Sequence, residues 1–207
     1  MIRIALADDH ALFRKSLRML IDYFGGMQVV LEAENGAELL QKLKNISVDV
    51  VLLDLQMPVM DGFETGQQLR LLYPQIKILV LTLLNDKESV LKTLQWGADG
   101  YLTKNTEPSV LKLALERINI NGFYLDKEVA ATLNALDNDD VVVDFTKREH
   151  QIIRLSAKDY STKEVAEELG ISYRTIETFK AKLIDKTNSK SFMGVVLYAI
   201  KHKMIKL

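Results

Sequence analysis

The stretch "VDVVLLDLQMPVMDG", residues 48–62, decides the fold. Val50, Val51, Leu52 and Leu53 are apolar in succession rather than alternating with polar residues. A strand that is apolar on both sides is covered on both sides, which is the situation of a central strand in a parallel sheet flanked by helices. The run then stops on a carboxylate, Asp54. Pro58 and Gly62 follow, the residues that restrict and free φ in a loop.

Working outward, the same unit repeats. "IRIALA", "MQVVLEA", "VDVVLLDL", "IKILVLT" and "DGYLT" read as strands. "HALFRKSLRMLIDYF", "GAELLQKLKN", "MDGFETGQQLRLLYP", "NDKESVLKTLQWG" and "EPSVLKLALERINING" read as the helices that follow them. Five strands, each followed by a helix, predict an α/β domain built on a five-stranded parallel sheet over residues 1–121. Residues 122–144 are predicted as a linker, with a short helix in "FYLDKEVAATLNAL" and an acidic break near Leu136 to Asp144. From Phe145 no strand pattern remains. Four helices are expected in a small all-α domain over 145–207: Thr146 to Lys158, Thr162 to Leu169, Ser172 to Lys186, and Ser191 to Lys203.

Charge divides the chain at the same place. Residues 1–143 hold 14 Lys and Arg against 20 Asp and Glu, net −6; residues 144–207 hold 13 against 8, net +5. An acidic front and a basic tail point to two domains with different partners, the tail facing an anionic polymer. The chain has no cysteine, so disulfides and thiolate metal sites are excluded. The N-terminus lacks the basic-then-apolar pattern of a signal peptide, and no run of about 18 apolar residues is present to span a membrane. A cytoplasmic protein is expected.

In an open parallel sheet, ligands bind at the carboxyl ends of the strands. Asp8 and Asp9 end the first strand, Asp54 the third and Thr82 the fourth, and Lys104 lies just past the fifth. Each has an ordinary explanation taken singly: a turn or cap aspartate, a strand threonine, a solvated lysine. Together they form a polar rim on the right strands in the right order. Three carboxylates with an open face suit Mg²⁺, a hard ion that keeps several waters, and the Gln56 carbonyl is placed to complete its shell. Such a set fits phosphoryl transfer to Asp54 as nucleophile. Lys104 would neutralise the transferred oxygens and Thr82 would hydrogen-bond them. His10 is expected at a cap or on the surface rather than on the metal.

The tail carries "STKEVAEELGISYRTIETFKAKLIDK". Gly170 is a natural left-handed stop for one helix, and Ser172 is a fitting N-cap for the next. Val165, Ala166 and Leu169 share one face; Ile176, Phe179 and Leu183 share another. That leaves Tyr173, Arg174, Glu177, Thr178, Ala181, Lys182 and Asp185 on or near the outer face; DNA contacts are expected from Arg174, Thr175, Glu177, Thr178, Ala181, Lys182 and Lys186, with Lys180 and Lys190 also able to bind phosphates or bases. This is a helix-turn-helix whose second helix fits a DNA major groove. A generic small helical bundle shares the apolar spacing but does not require the basic balance.

Residues 1 to about 121 resemble the receiver domain of a two-component response regulator, through "ADDH", "LLDLQMPVMDG", "LVLT" and "GADGYLTK". Residues 145–207 resemble the LuxR-type (NarL/FixJ) DNA-binding domain, through "TKREHQIIRL" and the helix-turn-helix above. The resemblance implies a flavodoxin-like receiver and phosphorylation of Asp54 by a histidine kinase. It implies Mg²⁺ on Asp9, Asp54 and the Gln56 carbonyl, with Asp8 acting mainly through water. It also implies a switch in which Thr82 moves toward the phosphoryl group and Tyr101 rotates with it, homodimerisation on phosphorylation, and binding to double-stranded DNA. Autocatalysed phosphoryl transfer, not turnover of a substrate, would be the only chemistry. Leu83 stands where receivers often have a small residue and Asn105 where they often have Pro. Phe179 and Asp159 stand where LuxR-type domains often have His and Gly. Two rivals are weighed. A haloacid-dehalogenase-like phosphatase would place its nucleophile on the first strand in "DxDx(T/V)", which this chain lacks. A DNA-binding regulator with a relict receiver would work without phosphorylation.

Overall fold

The computed structural model describes residues 1–126, 143–158 and 160–205. Five strands, β1 (Ile2–Ala7), β2 (Met27–Ala33), β3 (Val50–Leu53), β4 (Lys77–Thr82) and β5 (Gly100–Thr103), pair in parallel in the order β2-β1-β3-β4-β5. Helices α1 (Ala11–Phe24), α2 (Gly36–Leu43), α3 (Gly62–Leu72), α4 (Lys87–Gln95) and α5 (Pro108–Asn121) connect or follow them. The continuous apolar run of β3 has the expected cause: all four residues are buried. Val51 and Leu53 face the layer that holds Leu39, Leu69 and Val90. Val50 and Leu52 face the other layer, with Leu17, Ile21, Ala114 and Leu115. Each Val, Leu or Ile side chain among them contributes about 1.5–3 kcal/mol on burial.

The register puts the strand ends level. Leu53 pairs with Ala7 and with Val80, and Thr82 pairs with Thr103. The ladder runs one residue further at three places: Asp8 N–H donates to Ala33, Asp54 N–H to Ala7, and Lys104 N–H to Thr82, at 2.8–3.1 Å. That extension fixes Asp8, Asp54 and Lys104 at one rim.

The C-terminal domain has four helices among its described residues: α6 (Lys147–Ala157), α7 (Thr162–Leu169), α8 (Tyr173–Lys186) and α9 (Phe192–Lys201). Capping boxes start α6 at Thr146 with Glu149 and α7 at Ser161 with Glu164. Gly170 closes α7 in the left-handed conformation, and the Ser172 side chain caps α8 through the Thr175 N–H, both as read from the sequence. Ile152, Ile153, Val165, Ile176, Leu183, Val195 and Val196 form the core. His150 packs edge-on to Phe145, with ring centroids 5.6 Å apart.

The short helix expected over 123–136 is not formed at its start. Tyr124 instead makes a parallel bridge to Gly100, extending the sheet edge. Residues 127–142, and so most of the expected linker, lie outside the described residues, as does Asp159.

Two features shape the loop between β3 and α3. A Cβ on Gly62 would lie 2.1 Å from the Asp54 carbonyl oxygen, so only glycine lets α3 start this close to the strand end. Val59 has φ of +68° and is exposed. A β-branched residue is strained there. Val59→Asn is therefore expected to raise stability by about 1 kcal/mol, read as a higher urea midpoint at unchanged m-value.

Candidate functional site

The rim is built around one cation. Lys104 Nζ lies 2.6 Å from Asp54 Oδ2 and 2.7 Å from Asp8 Oδ2, and all three side chains are buried. Burial works against the ammonium, but the hydrogen bonds to Asp54 and Asp8 outweigh it, and the lysine pKa is raised. A raised lysine pKa stabilises the fold in full below the ordinary lysine range and loses that effect only as pH climbs through the raised value. The bridge therefore persists across neutral pH. Phe13 lies under the ammonium, 4.8 Å from ring centroid to Nζ. Asp8 is further fixed by Arg14, which donates to its backbone carbonyl and pairs with Glu34 at 2.9 Å.

Asp8, Asp9, His10 and Asp54 each offer one ligand atom within 4.8 Å of the others. The three expected carboxylates are thus brought together, with Asp9 the exposed member. His10 was expected at a cap or on the surface. It is the N-cap residue of α1, makes no side-chain cap bond, and sits 2.9 Å from Asp9 through Nδ1. Gln56 is exposed and its N–H donates to Asp54 Oδ1 at 3.2 Å. Oxygen donors on an open rim fit a hard divalent ion.

Thr82 is buried and Tyr101 is buried beside it on the next strand. Both meet at Leu84. Its N–H points to Thr82 Oγ1 at 3.5 Å, and its carbonyl accepts from the Tyr101 hydroxyl at 2.7 Å. Burial pushes the Tyr101 phenol above the ordinary tyrosine range, with Asp86 and Asp54 adding to it. Leu84 was not anticipated, because its part is played by its backbone, which sequence does not mark. Leu83 points outward and is 57% exposed.

On α8, Arg174, Thr175, Glu177, Thr178, Ala181, Lys182 and Lys186 are all exposed. Lys186 pairs with Glu149 at 2.8 Å, and Glu177 accepts from the Thr162 hydroxyl at 3.0 Å. Lys180 departs from the sequence reading. It is 7% exposed and donates to Thr162 Oγ1 and the Asn121 carbonyl, at 2.5 and 3.4 Å. It sits on the inward face between Ile176 and Leu183, where a helical repeat of 3.6 places it.

The Asn121 contact crosses between domains. Ser191 Oγ reaches the Ala98 carbonyl at 3.5 Å, and Phe192 packs on Phe123 with centroids 5.8 Å apart. Gly97 lies against Lys190: a Cβ there would be 2.7 Å from the lysine Cβ. Between the domains is a polar cavity of about 350 Å³ whose walls include Glu177 and Ala181 of α8.

A doubly wound sheet with an acidic, lysine-bridged rim, followed by a helix-turn-helix, defines a signal receiver joined to a DNA-binding module. The chain matches the response regulator receiver domain over residues 4–116 and the luxR family of bacterial regulatory proteins over 143–199. It is 34% identical to the oxygen regulatory protein NreC of Staphylococcus aureus, across 99% of both chains. A LuxR-family two-component response regulator from Aurantimonas sp. SI85-9A1 is 32% identical, with a TM-score of 0.60 over 64% of this chain and 94% of that one. Response regulator ChrA of a heme-sensing two-component system is 28% identical, with a TM-score of 0.53 over 99% and 98%. The chain belongs to the response regulators with a LuxR-type DNA-binding domain, a family of phosphorylation-regulated transcription regulators.

The absence of cysteine makes the domain contact easy to trap. Cysteines placed at Ala98 and Ser191 are expected to form an intramolecular disulfide on mild oxidation, seen as faster migration on a non-reducing gel. Failure to oxidise above the level of either single cysteine would count against this arrangement.

Proposed function

We propose that Asp54 accepts a phosphoryl group from a histidine kinase and that this controls binding of α8 to double-stranded DNA. The observation that carries the reading is the buried Asp54 carboxylate, shared by Lys104 with Asp8 and bordered by Asp9. A carboxylate already facing a fixed ammonium is poised to become an acyl phosphate whose new charge is met at once. Asp8, Asp9, Asp54 and the Gln56 carbonyl would hold Mg²⁺, which when bound supplies charge neutralisation of the phosphoryl oxygens. Lys104 orients the acceptor and keeps its charge through the transfer. Thr82 is the hydroxyl placed to turn toward the new dianion. Doing so loosens its hold on the Leu84 N–H, and Leu84 is also what anchors the Tyr101 hydroxyl. That shared backbone gives the proposed Thr82–Tyr101 switch a physical link.

Glu177 and Ala181 line the cavity between the domains while remaining exposed, so a duplex approaching that side of α8 would meet the receiver. A helix needs its whole outer face free to enter a major groove. Phosphorylation would favour a separated form in which two copies pair on adjacent half-sites. Arg174, Lys182 and Lys186 would contact phosphates, and Thr175, Glu177, Thr178 and Ala181 would lie toward the bases. The reading places the protein in the cytoplasm, as a regulator whose only chemistry is its own phosphorylation and autodephosphorylation. Domain limits of 1–121, 122–144 and 145–207 belong to this proposal.

Incubation with acetyl phosphate and Mg²⁺ is expected to add one phosphoryl mass, about 80 Da, to the wild type and none to Asp54→Ala, with a shift toward dimer only in the wild type. No adduct in the wild type, under conditions that label a control receiver, would leave a constitutive DNA-binding regulator as the better reading. Once an operator is in hand, Arg174→Ala and Lys182→Ala are each expected to weaken binding to all sequences alike. Each should reduce the slope of log K against log salt by about 1.

A further inference from the structure

The interdomain cavity has an electrostatic composition that its position does not explain. The receiver contributes Arg70 and Lys77; the DNA-binding domain contributes Lys180 and Lys190. Against these four cations the walls hold two carboxylates, Asp99 and Glu177, leaving two positive charges. Both carboxylates are already engaged. Asp99 accepts from Arg70 at 2.7 Å and from the Ile78 N–H at 2.9 Å, with Lys77 at 3.7 Å. Glu177 accepts from Thr162, and its oxygen is 3.6 Å from Lys180. Lys190 makes no hydrogen bond or ion pair among the described residues.

Lys77 and Lys180 come from different domains and converge on the end of α5. Lys180 reaches the Asn121 carbonyl at 3.4 Å, and Lys77 Nζ lies 3.4 Å from where a Cβ of Gly122 would stand. Closing the domains thus brings two ammonium groups together, one of them buried. Burial pulls the Lys180 pKa down, Glu177 pulls it back up, and the Lys77 charge pushes it further down. Thr162, Asn121 and Glu177 compensate the buried ammonium in part, and what remains of its burial cost beside Lys77 opposes closure. A dianion between the two lysines would turn that repulsion into a bridge.

We propose that this cavity binds a small phosphorylated molecule carrying two or more negative charges, held by Lys77 and Lys180 from the two domains, and that the bound anion clamps the closed arrangement. The volume of about 350 Å³ lies in the range of small-ligand sites and is far too small for a duplex. Tyr173 and Phe192 in the walls offer apolar surface to an organic part of the ligand. The regulatory half of the proposal rests on the reading that closure occludes α8; the binding half does not. A ligand that binds only the closed form stabilises it by mass action, so DNA binding would fall as the anion rises.

The test is calorimetric titration of the unphosphorylated full-length chain, without Mg²⁺, with inorganic pyrophosphate and separately with adenosine diphosphate. One site per chain is expected for at least one of them. Affinity should fall at least fivefold in Lys77→Gln and in Lys180→Gln and be unchanged in Asp54→Ala. Equal affinities would define an oxyanion site, and tighter binding of the diphosphate nucleoside a nucleotide site; either supports the proposal. No binding of either probe overturns it. So does binding that survives Lys77→Gln, which marks the anion as a counterion of the DNA-contacting surface, because Lys77 is on the receiver. In a parallel DNA-binding assay the anion should weaken binding by the wild type but not by Lys77→Gln. If binding is lost in both lysine variants yet DNA affinity never changes, the site stands and the occlusion reading fails.

Discussion

Everything at the receiver's rim depends on how two buried carboxylates tolerate each other. Asp8 and Asp54 are on neighbouring strands that pair residue for residue, so the fold itself holds them close. Without a cation between them both would stand desolvated, and desolvated like charges cost several kcal/mol. Lys104 resolves this by reaching both carboxylates from the far side of β4. The same arrangement suits the proposed transfer. The ammonium that makes the folded state tolerable would already face the oxygens of a group added to Asp54, so little reorganisation would remain.

The stretch from Ala98 to Lys104 joins the two ends of this molecule. At its start the Ala98 carbonyl accepts from Ser191, and Asp99 holds Arg70 at the edge of the interdomain cavity. Gly100 bridges Tyr124, next to the Phe123 ring that packs at a tilt on Phe192. From there Tyr101 to Lys104 runs to the rim, with Tyr101 tied to Leu84. One short segment therefore touches the C-terminal domain at its amino end and the acidic rim at its carboxyl end. A rotation of Tyr101 would be transmitted over a few residues of a strand, not through a long chain of side chains. Such coupling would require Tyr101 to have two side-chain states that both sites bias.

The sheet, its helices and the acidic rim were legible because each leaves a pattern. Consecutive apolar residues in β3 mark burial on both faces, and Asp54 marks its carboxyl end. The four C-terminal helices were legible through capping chemistry at Thr146, Ser161 and Ser172 and the left-handed Gly170. What escaped were contacts made by backbone or between domains. Leu84 acts through its N–H and carbonyl, which any residue carries. Tyr124 was read into a helix because "DKEVAATLNAL" is helical in pattern, while the bridge to Gly100 depends on the open edge of β5, a tertiary fact. Lys180 was read as a DNA contact from its charge. Its position one turn from Ile176 and three residues before Leu183 already placed it on the inward face, so periodicity carried the better signal there.

That inward lysine also bears on how such a switch is kept reversible. A helix that is to lie against DNA phosphates in one state, as proposed for α8, could not present an apolar face there, so its resting contact with the receiver would have to be polar. Polar interfaces within a chain are separable at modest cost. Here the contact includes two long hydrogen bonds, one pair of aromatic rings, the close approach of Gly97 to Lys190 and a charged cavity. Moving a two-state equilibrium from mostly closed to mostly open takes about 5.5 kcal/mol of differential interaction. Phosphorylation would have to supply that difference. The charged cavity keeps the closed state within reach of that input. The same charges that weaken closure are the ones an anion would satisfy, so the feature that permits release also offers a second point of control.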